Sequence, residues 1–193
     1  EQDKGTVGRR VELSTAAGRT LVHHAWMQRD RTFENSRFLT YRAYDVVSGG
    51  LTPPVTVHPP GSFSSGYMEL DVTGDNRAVI GCQEWGDPYY HMKSFVFWDS
   101  AAATGAFTFV SRPADSIQFY AMRRTGSLIW PQIVYIEGPT DTILHMVADM
   151  DKTDYEPLPI YYVRRIGSDR DPTAYWEYPP KIVDTTYSWA VRD

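Results

Sequence analysis

Cysteine is nearly absent from this 193-residue chain: Cys82 stands alone, so no internal disulfide can form. It sits beside Ile80 in an apolar run, the setting of a small buried hydrophobe rather than of a nucleophile. No stretch approaches the roughly 20 apolar residues that a membrane helix requires, which argues against membrane insertion. No helical periodicity persists long enough to propose a substantial α-helix. An excess of positive charge is also missing. Lys and Arg number 19 against 24 Asp and Glu, a net charge of −5, which argues against nucleic acid as a partner. The chain lacks G-x-S-x-G, a phosphate-binding glycine loop and H-E-x-x-H, so the common motif-borne hydrolase and nucleotide chemistries find no support. His23 and His24 are adjacent and point to opposite faces of a strand, while His58, His91 and His145 lack ligand spacing. No zinc site and no organic cofactor are expected.

Turns and aromatic residues are plentiful. Aromatics make up 14% of the chain, with 13 Pro and 14 Gly, the composition of a turn-rich all-β protein. Residues 66–108 set the pattern: GYMELDV, the turn TGDN, RAVIGCQEW, the loop GDPYYH, MKSFVFWD, the small-residue turn SAAATG, then AFT. These read as four antiparallel strands in up-and-down order. One such sheet alone has open edges and little core, so it needs neighbours of its own kind.

The chain supplies them. Residues 8–27 align without a gap on 66–85, an offset of 58 that sets Gly8 on Gly66, Thr15 on Thr73, Leu21 on Val79 and Val22 on Ile80. Tyr44-Asp45 falls on Trp98-Asp99, each followed by a small-residue turn ending in Gly. Downstream, residues 129–149 repeat strand, turn and strand; setting Arg77 on Thr142 gives an offset of 65, and 159–166 adds a further strand. Four-stranded repeats of this length are the signature of propeller blades, with a sandwich of look-alike hairpins as the alternative. The expected blades cover about residues 8–57, 66–110 and 128–178, with the start of another unit at about 186–193. Residues 52–61 read as a proline-punctuated outer strand, and 117–122 as a turn of helix or an extra strand. Three blades do not close a ring, so the expectation is an incomplete propeller: an arc of a longer protein, or one that other chains complete. Four hidden blades of about 48 residues are the remaining option. The chain opens on Glu1 rather than Met, which fits signal-peptide removal and equally excision from a longer chain. The corresponding location is secreted, periplasmic or cell surface.

In a propeller, loops between second and third strands share one face with the connectors between blades. That face collects Arg29 and Arg31, then Asp87, Tyr89, Tyr90 and His91 beside Trp85, then Tyr155 with Asp151, Asp154 and Glu156. The opposite face has plain turns. Trp85, Tyr89 and Tyr90 suit stacking on a sugar ring, though they equally suit a blade core. Asp149, Asp151 and Asp154 form a carboxylate group able to hold calcium, against the competing reading of a solvated acidic loop. Glu84 and Asp87 near Tyr89 are candidates for a glycosidase acid and its partner.

The units resemble the repeats of sialidase-like (BNR, or Asp-box) propellers in degenerate form. Tyr44-Asp45-Val-Val-Ser-Gly-Gly50 and Trp98-Asp99-Ser-Ala-Ala-Ala-Thr-Gly105 look like Asp boxes, although the order Ser-x-Asp-x-Gly-x-Thr-Trp is not kept and residues 167–171 carry only traces. The resemblance implies that these Asp and Gly residues stabilise the turn between third and fourth strands, away from the active face. A sialidase further needs an arginine triad and a Tyr–Glu pair; Arg29, Arg31 and Arg123 are available, without a motif that assigns them. The functional expectation is a module binding a glycan or a protein partner through its loop face. Its rivals are a propeller-fold glycoside hydrolase or lyase and a structural subunit of a larger surface assembly.

Overall fold

Short runs of β-branched and aromatic residues between Gly, Asp and Asn turns dictate strands, and every regular element among the described residues is one. A computed structural model describes residues 8–29, 37–57, 65–85, 92–110, 117–119, 124–126, 128–150 and 160–184. The first sheet holds β1 (Val11–Ala16), β2 (Arg19–Arg29), β3 (Arg37–Asp45) and β4 (Gly50–Leu51), with β5 (Val55–Thr56) also paired to β3. The second holds β6 (Ser65–Val72), β7 (Ala78–Trp85), β8 (Met92–Asp99) and β9 (Phe107–Val110). A small hairpin, β10 (Ile117–Phe119) with β11 (Arg124–Gly126), precedes the third sheet. That sheet holds β12 (Leu128–Glu137), β13 (Thr142–Met150), β14 (Ile160–Ile166) and β15 (Tyr175–Trp176), with β16 (Lys181–Asp184) also on β14. All pairings are antiparallel, and apart from β5 on β3 and β16 on β14 they join consecutive strands.

The fold is thus all-β, built from antiparallel sheets of four strands. Pro53-Pro54 separates β4 from β5, and Pro179-Pro180 separates β15 from β16, so two of the three outer strands are split where proline removes donors. Lys181–Asp184, beyond the 128–178 span expected for the third blade, pairs with β14 at the outer edge of the third sheet. Residues 117–119 form an extra strand rather than a helical turn.

The sheets stack in order, first strands leading. β6 packs against β1, β2 and β3, and β12 packs against β6, β7 and β8. Two cores result. Leu39, Tyr41, Met68, Leu70, Ile80 and Phe97 fill the space between sheets one and two. Val79, Val96, Trp98, Ile133, Leu144 and Met146 fill that between two and three. The middle sheet is buried on both faces, which is why β8 reads as an unbroken apolar run instead of alternating. Each of these larger side chains contributes on the order of 1.5–3 kcal/mol by leaving water. Gly81 allows the closest approach of sheets two and three: a Cβ there would lie 2.8 Å from Cγ2 of Ile133.

Polar ties fix the stack at one end. The Asn76 side-chain amide donates to the carbonyls of Ala16 (3.1 Å) and Arg19 (3.2 Å), and Gly74 N–H donates to Glu137 Oε2 at 3.1 Å. The first hairpin turns of all three sheets therefore meet. At the same end Arg77, 3% exposed, bonds Asp75 and Asp169, while Arg170 reaches Asp75. Burial works against the Arg77 charge, but those carboxylates outweigh it and raise its pKa.

The pairings refine the repeat alignment. The offset of 58 puts Leu21 on Val79, and both point toward the following sheet. Asp45, however, lies opposite Leu21, whereas Trp98 lies opposite Val79, so Asp45 corresponds to Trp98 and the superposition of Tyr44-Asp45 on Trp98-Asp99 is one residue out. The faces agree: Tyr44 is 40% exposed and Trp98 fully buried. Likewise Leu70 opposite Ile80 matches Ile133 opposite Met146, an offset of 66 between Ile80 and Met146 rather than 65. A one-residue slip exchanges the two faces of a strand, so burial decides between such registers.

Candidate functional site

The end opposite the hairpin turns carries the loops between second and third strands. Arg29, Trp85 and Asp149 lie there, at or next to the ends of β2, β7 and β13. Asp149 is 1% exposed and stands opposite Ile129. Arg31, Asp87, Tyr89, Tyr90, His91, Asp151, Asp154 and Tyr155 lie outside the described residues. Among the described residues no group of three or more His, Cys, Asp or Glu is placed to hold a metal ion.

What the structure adds at this end is a pair of aromatic residues. β6 carries a bulge between Gly66 and Glu69, and β12 carries one between Ile129 and Gln132. Tyr67 occupies the first with φ 48° and Trp130 the second with φ 49°. Left-handed backbone in non-glycine residues costs of order 1–3 kcal/mol and persists only where the surroundings enforce it. Bulges re-aim a side chain, and here both rings turn toward each other, centroids 5.9 Å apart at 66°. The Arg37 guanidinium, from the start of β3, lies 5.8 Å from the Tyr67 ring centre, a cation–π arrangement. One residue from each sheet therefore enters a single cluster.

Buried polar groups support it. Trp130 N–H donates to Gln83 Oε1 at 3.3 Å, Ser65 Oγ donates to Glu84 Oε1 at 3.0 Å, and Ser94 Oγ donates to the Leu128 carbonyl at 2.9 Å. Gln83 and Glu84 are each 3% exposed. Glu84, expected as a glycosidase acid, shares the face of Ile80 and Cys82 that packs toward sheet one. Burial, then the Glu84 charge, pushes the Cys82 thiol well up, so the lone cysteine is inert as its sequence setting implied.

A second charged group lies where the first strands come together. Arg9 donates through Nε to Glu69 (2.7 Å) and through Nη2 to Asp71 (3.4 Å) and the Ile133 carbonyl (2.7 Å). Asp71 in turn accepts the Tyr135 N–H at 2.7 Å. Burial raises the Glu69 pKa, and the Arg9 bonds oppose without cancelling it. Gly8 makes the approach possible, since a Cβ there would lie 2.3 Å from the Met68 carbonyl oxygen. The arrangement saturates its own donors and joins three sheets, which is a structural role.

Carboxylates also cap the turns that follow β3 and β8. Asp45 Oδ1 accepts the amides of Val47 (3.0 Å) and Ser48 (3.1 Å); Asp99 accepts those of Gly105 (3.0 Å) and Ala106 (3.1 Å). The Ser48 amide first, then Arg19, lowers the Asp45 pKa.

Sequence reasoning missed Tyr67, Trp130 and Arg37. Their signal is a break in period-two alternation: Gly66-Tyr67-Met68 and Ile129-Trp130-Pro131 each insert one residue into a strand that otherwise alternates. The chain matches no known family model. No curated protein matches it either.

Proposed function

We propose that this chain is part of a β-propeller of degenerate sialidase-like (Asp-box) type, acting as a secreted or cell-surface module that binds a glycan at its loop end. The Tyr67–Trp130 pair with Arg37 carries the reading. Two rings held edge to face in costly backbone, beside a guanidinium, supply apolar stacking and a charge-assisted donor, the combination that recognises a sugar, in particular one bearing a carboxylate. Sequential stacking of four-stranded sheets and the carboxylate-capped turns at Asp45 and Asp99 favour the propeller reading over a sandwich. Arg29, Arg31, Trp85, Asp87, Tyr89, Tyr90, His91 and Tyr155 are the loop residues that would extend the surface.

The test is a panel of immobilised neutral and sialylated oligosaccharides, with the affinity of any hit measured in solution. Trp130→Gly and Tyr67→Gly remove each ring while tolerating the positive φ. Each is expected to weaken binding at least tenfold with the far-ultraviolet spectrum unchanged. A panel without a hit, or variants that bind like the parent, would overturn the glycan reading and favour a protein ligand.

The enzyme reading draws on one observation: Glu84 and Asp149 are buried carboxylates near the loop ends of β7 and β13. Hydrolysis of aryl glycosides that disappears in Glu84→Gln, with binding retained, would establish it.

A further inference from the structure

The two end sheets each leave one face open, and those faces resemble the two halves of an interface already present inside the molecule. Within the stack, the leading face of one sheet is covered by the trailing face of the next. Sheet one leads with His23, whose Nδ1 is 2.7 Å from the Tyr41 hydroxyl, rings 5.9 Å apart at 32°. Sheet two covers that pair, and the trailing face that does so includes Leu70, Ile80 and Phe97, three residues in one cross-strand row.

Sheet three leads with a similar His–Tyr pair, half-buried and set two residues nearer the hairpin turn, at the position of Leu21 rather than of His23. His145 Nδ1 is 2.7 Å from the Tyr162 hydroxyl, rings 5.8 Å apart at 28°. Beside it runs the row Ile136, Ile143, Ile166, Tyr175 across four strands, with Ile136 49% and Tyr175 56% exposed. Sheet one trails with Leu13, Val22 and Tyr44, joined by Leu51, in one row. By pairing, Leu13, Val22 and Tyr44 are the counterparts of Leu70, Ile80 and Phe97. Yet Leu13 is 63% and Leu51 54% exposed. Of the charged groups on these faces, Arg164 holds Glu177 at 2.7 Å and Arg42 donates to the Thr52 carbonyl at 3.2 Å.

We propose that a second copy of this chain covers both faces, the leading face of sheet three in each copy receiving the trailing face of sheet one in the other. The occupant follows from the match: the surface shaped like the trailing face of sheet two is the one this chain itself presents at sheet one. A head-to-tail contact of unlike faces forms a closed assembly or an open filament. Propellers contain about four to eight blades, so two copies of a three-sheet stack are the smallest number that closes, as a ring of six. Ring closure rests on the propeller reading above; the head-to-tail contact does not.

Light scattering of the full chain from about 1 to 100 µM tests it, with a mass of two 22.0 kDa chains expected. Leu13→Arg blocks the trailing face and Ile136→Arg the leading face. Each variant alone is expected to be monomeric with its strand spectrum intact, and an equimolar mixture to regain a two-chain species through the one contact left. If Leu13→Arg loses its strand spectrum, Leu51→Arg blocks the same face. A parent monomeric at 100 µM, a dimer indifferent to both substitutions, or variants that do not complement each other would overturn the proposal, as would filaments in place of a two-chain species. Oligosaccharide binding by the monomeric variants keeps this outcome separate from the glycan reading, because Tyr67 and Trp130 lie on neither open face.

Discussion

At the residue scale, two buried ionisable groups make the protein's stability respond to pH. His23, fully buried between Ser14 Oγ and the Tyr41 hydroxyl, has its pKa lowered by burial to about 4. A histidine that binds its proton less readily when folded stabilises the fold above its unfolded pKa, near 6.5, and loses that contribution as pH falls toward 4. The loss amounts to about 3 kcal/mol. Urea unfolding at pH 7.5 and pH 4.5 is expected to show most of it, and His23→Gln to flatten that part of the profile. Glu69, held by Arg9, is the second case. Its side chain is 8% exposed, while that of Arg9 is 40% exposed. Arg9→Ala strands that carboxylate and should cost about 2–3 kcal/mol at neutral pH, below the full cost for a wholly buried pair because Arg9 is partly in water. Since Glu69 already takes up a proton more readily than usual, the deficit should shrink as pH falls and the carboxyl becomes neutral. A constant deficit from pH 7 to pH 4 would count against this account.

At the element scale, close approach of neighbouring sheets decides which substitutions are tolerated. Gly81→Ala places a methyl against Ile133 and should cost about 1–3 kcal/mol by overpacking. Ile133→Ala alone should cost about 2–5 kcal/mol through the cavity it leaves. Combined, the two should cost less than their sum, because the new methyl occupies part of the space vacated. Thermal or urea denaturation of the three variants measures that coupling. The strands themselves were legible in the sequence. Asp and Gly at the 73–76 turn, the split outer strand at Pro53-Pro54 and the doubly apolar β8 all announced themselves through turn chemistry and composition. Register was less legible: pairing sets Leu70 on Ile133, an offset of 63, but Ile80 on Met146, an offset of 66, so the hairpin joining β12 to β13 is three residues longer than that joining β6 to β7, and a single anchor in the turn misplaces Ile80 on His145. The aromatic cluster was hidden for a related reason. A bulge spends one residue without advancing the pairing, so Tyr67 and Trp130 look like ordinary strand residues until the ladder is known.

At the scale of the whole molecule, the sheets form a directional stack with a leading face at one end and a trailing face at the other. Loop identity was readable from composition because charged and aromatic residues gather between second and third strands. Which of them converge was not, since that depends on how sheets from positions 30, 85 and 150 are brought together. The double-sided burial of the middle sheet has a further consequence. Within a single chain, sheets one and three each rest on one neighbour, so in the unassembled protein either can open while the other interface holds; the middle sheet cannot be released without losing both cores. Amide hydrogen–deuterium exchange in the monomeric Leu13→Arg variant should therefore run in three tiers under native conditions, fastest in β4, β5, β15 and β16, intermediate in β2 and β13, and slowest in β7 and β8, where it should approach the global unfolding limit. The centre of the chain is thus its clock, and Gly81→Ala should hasten exchange in β7, β8 and β12 before it does so in β2 and β3.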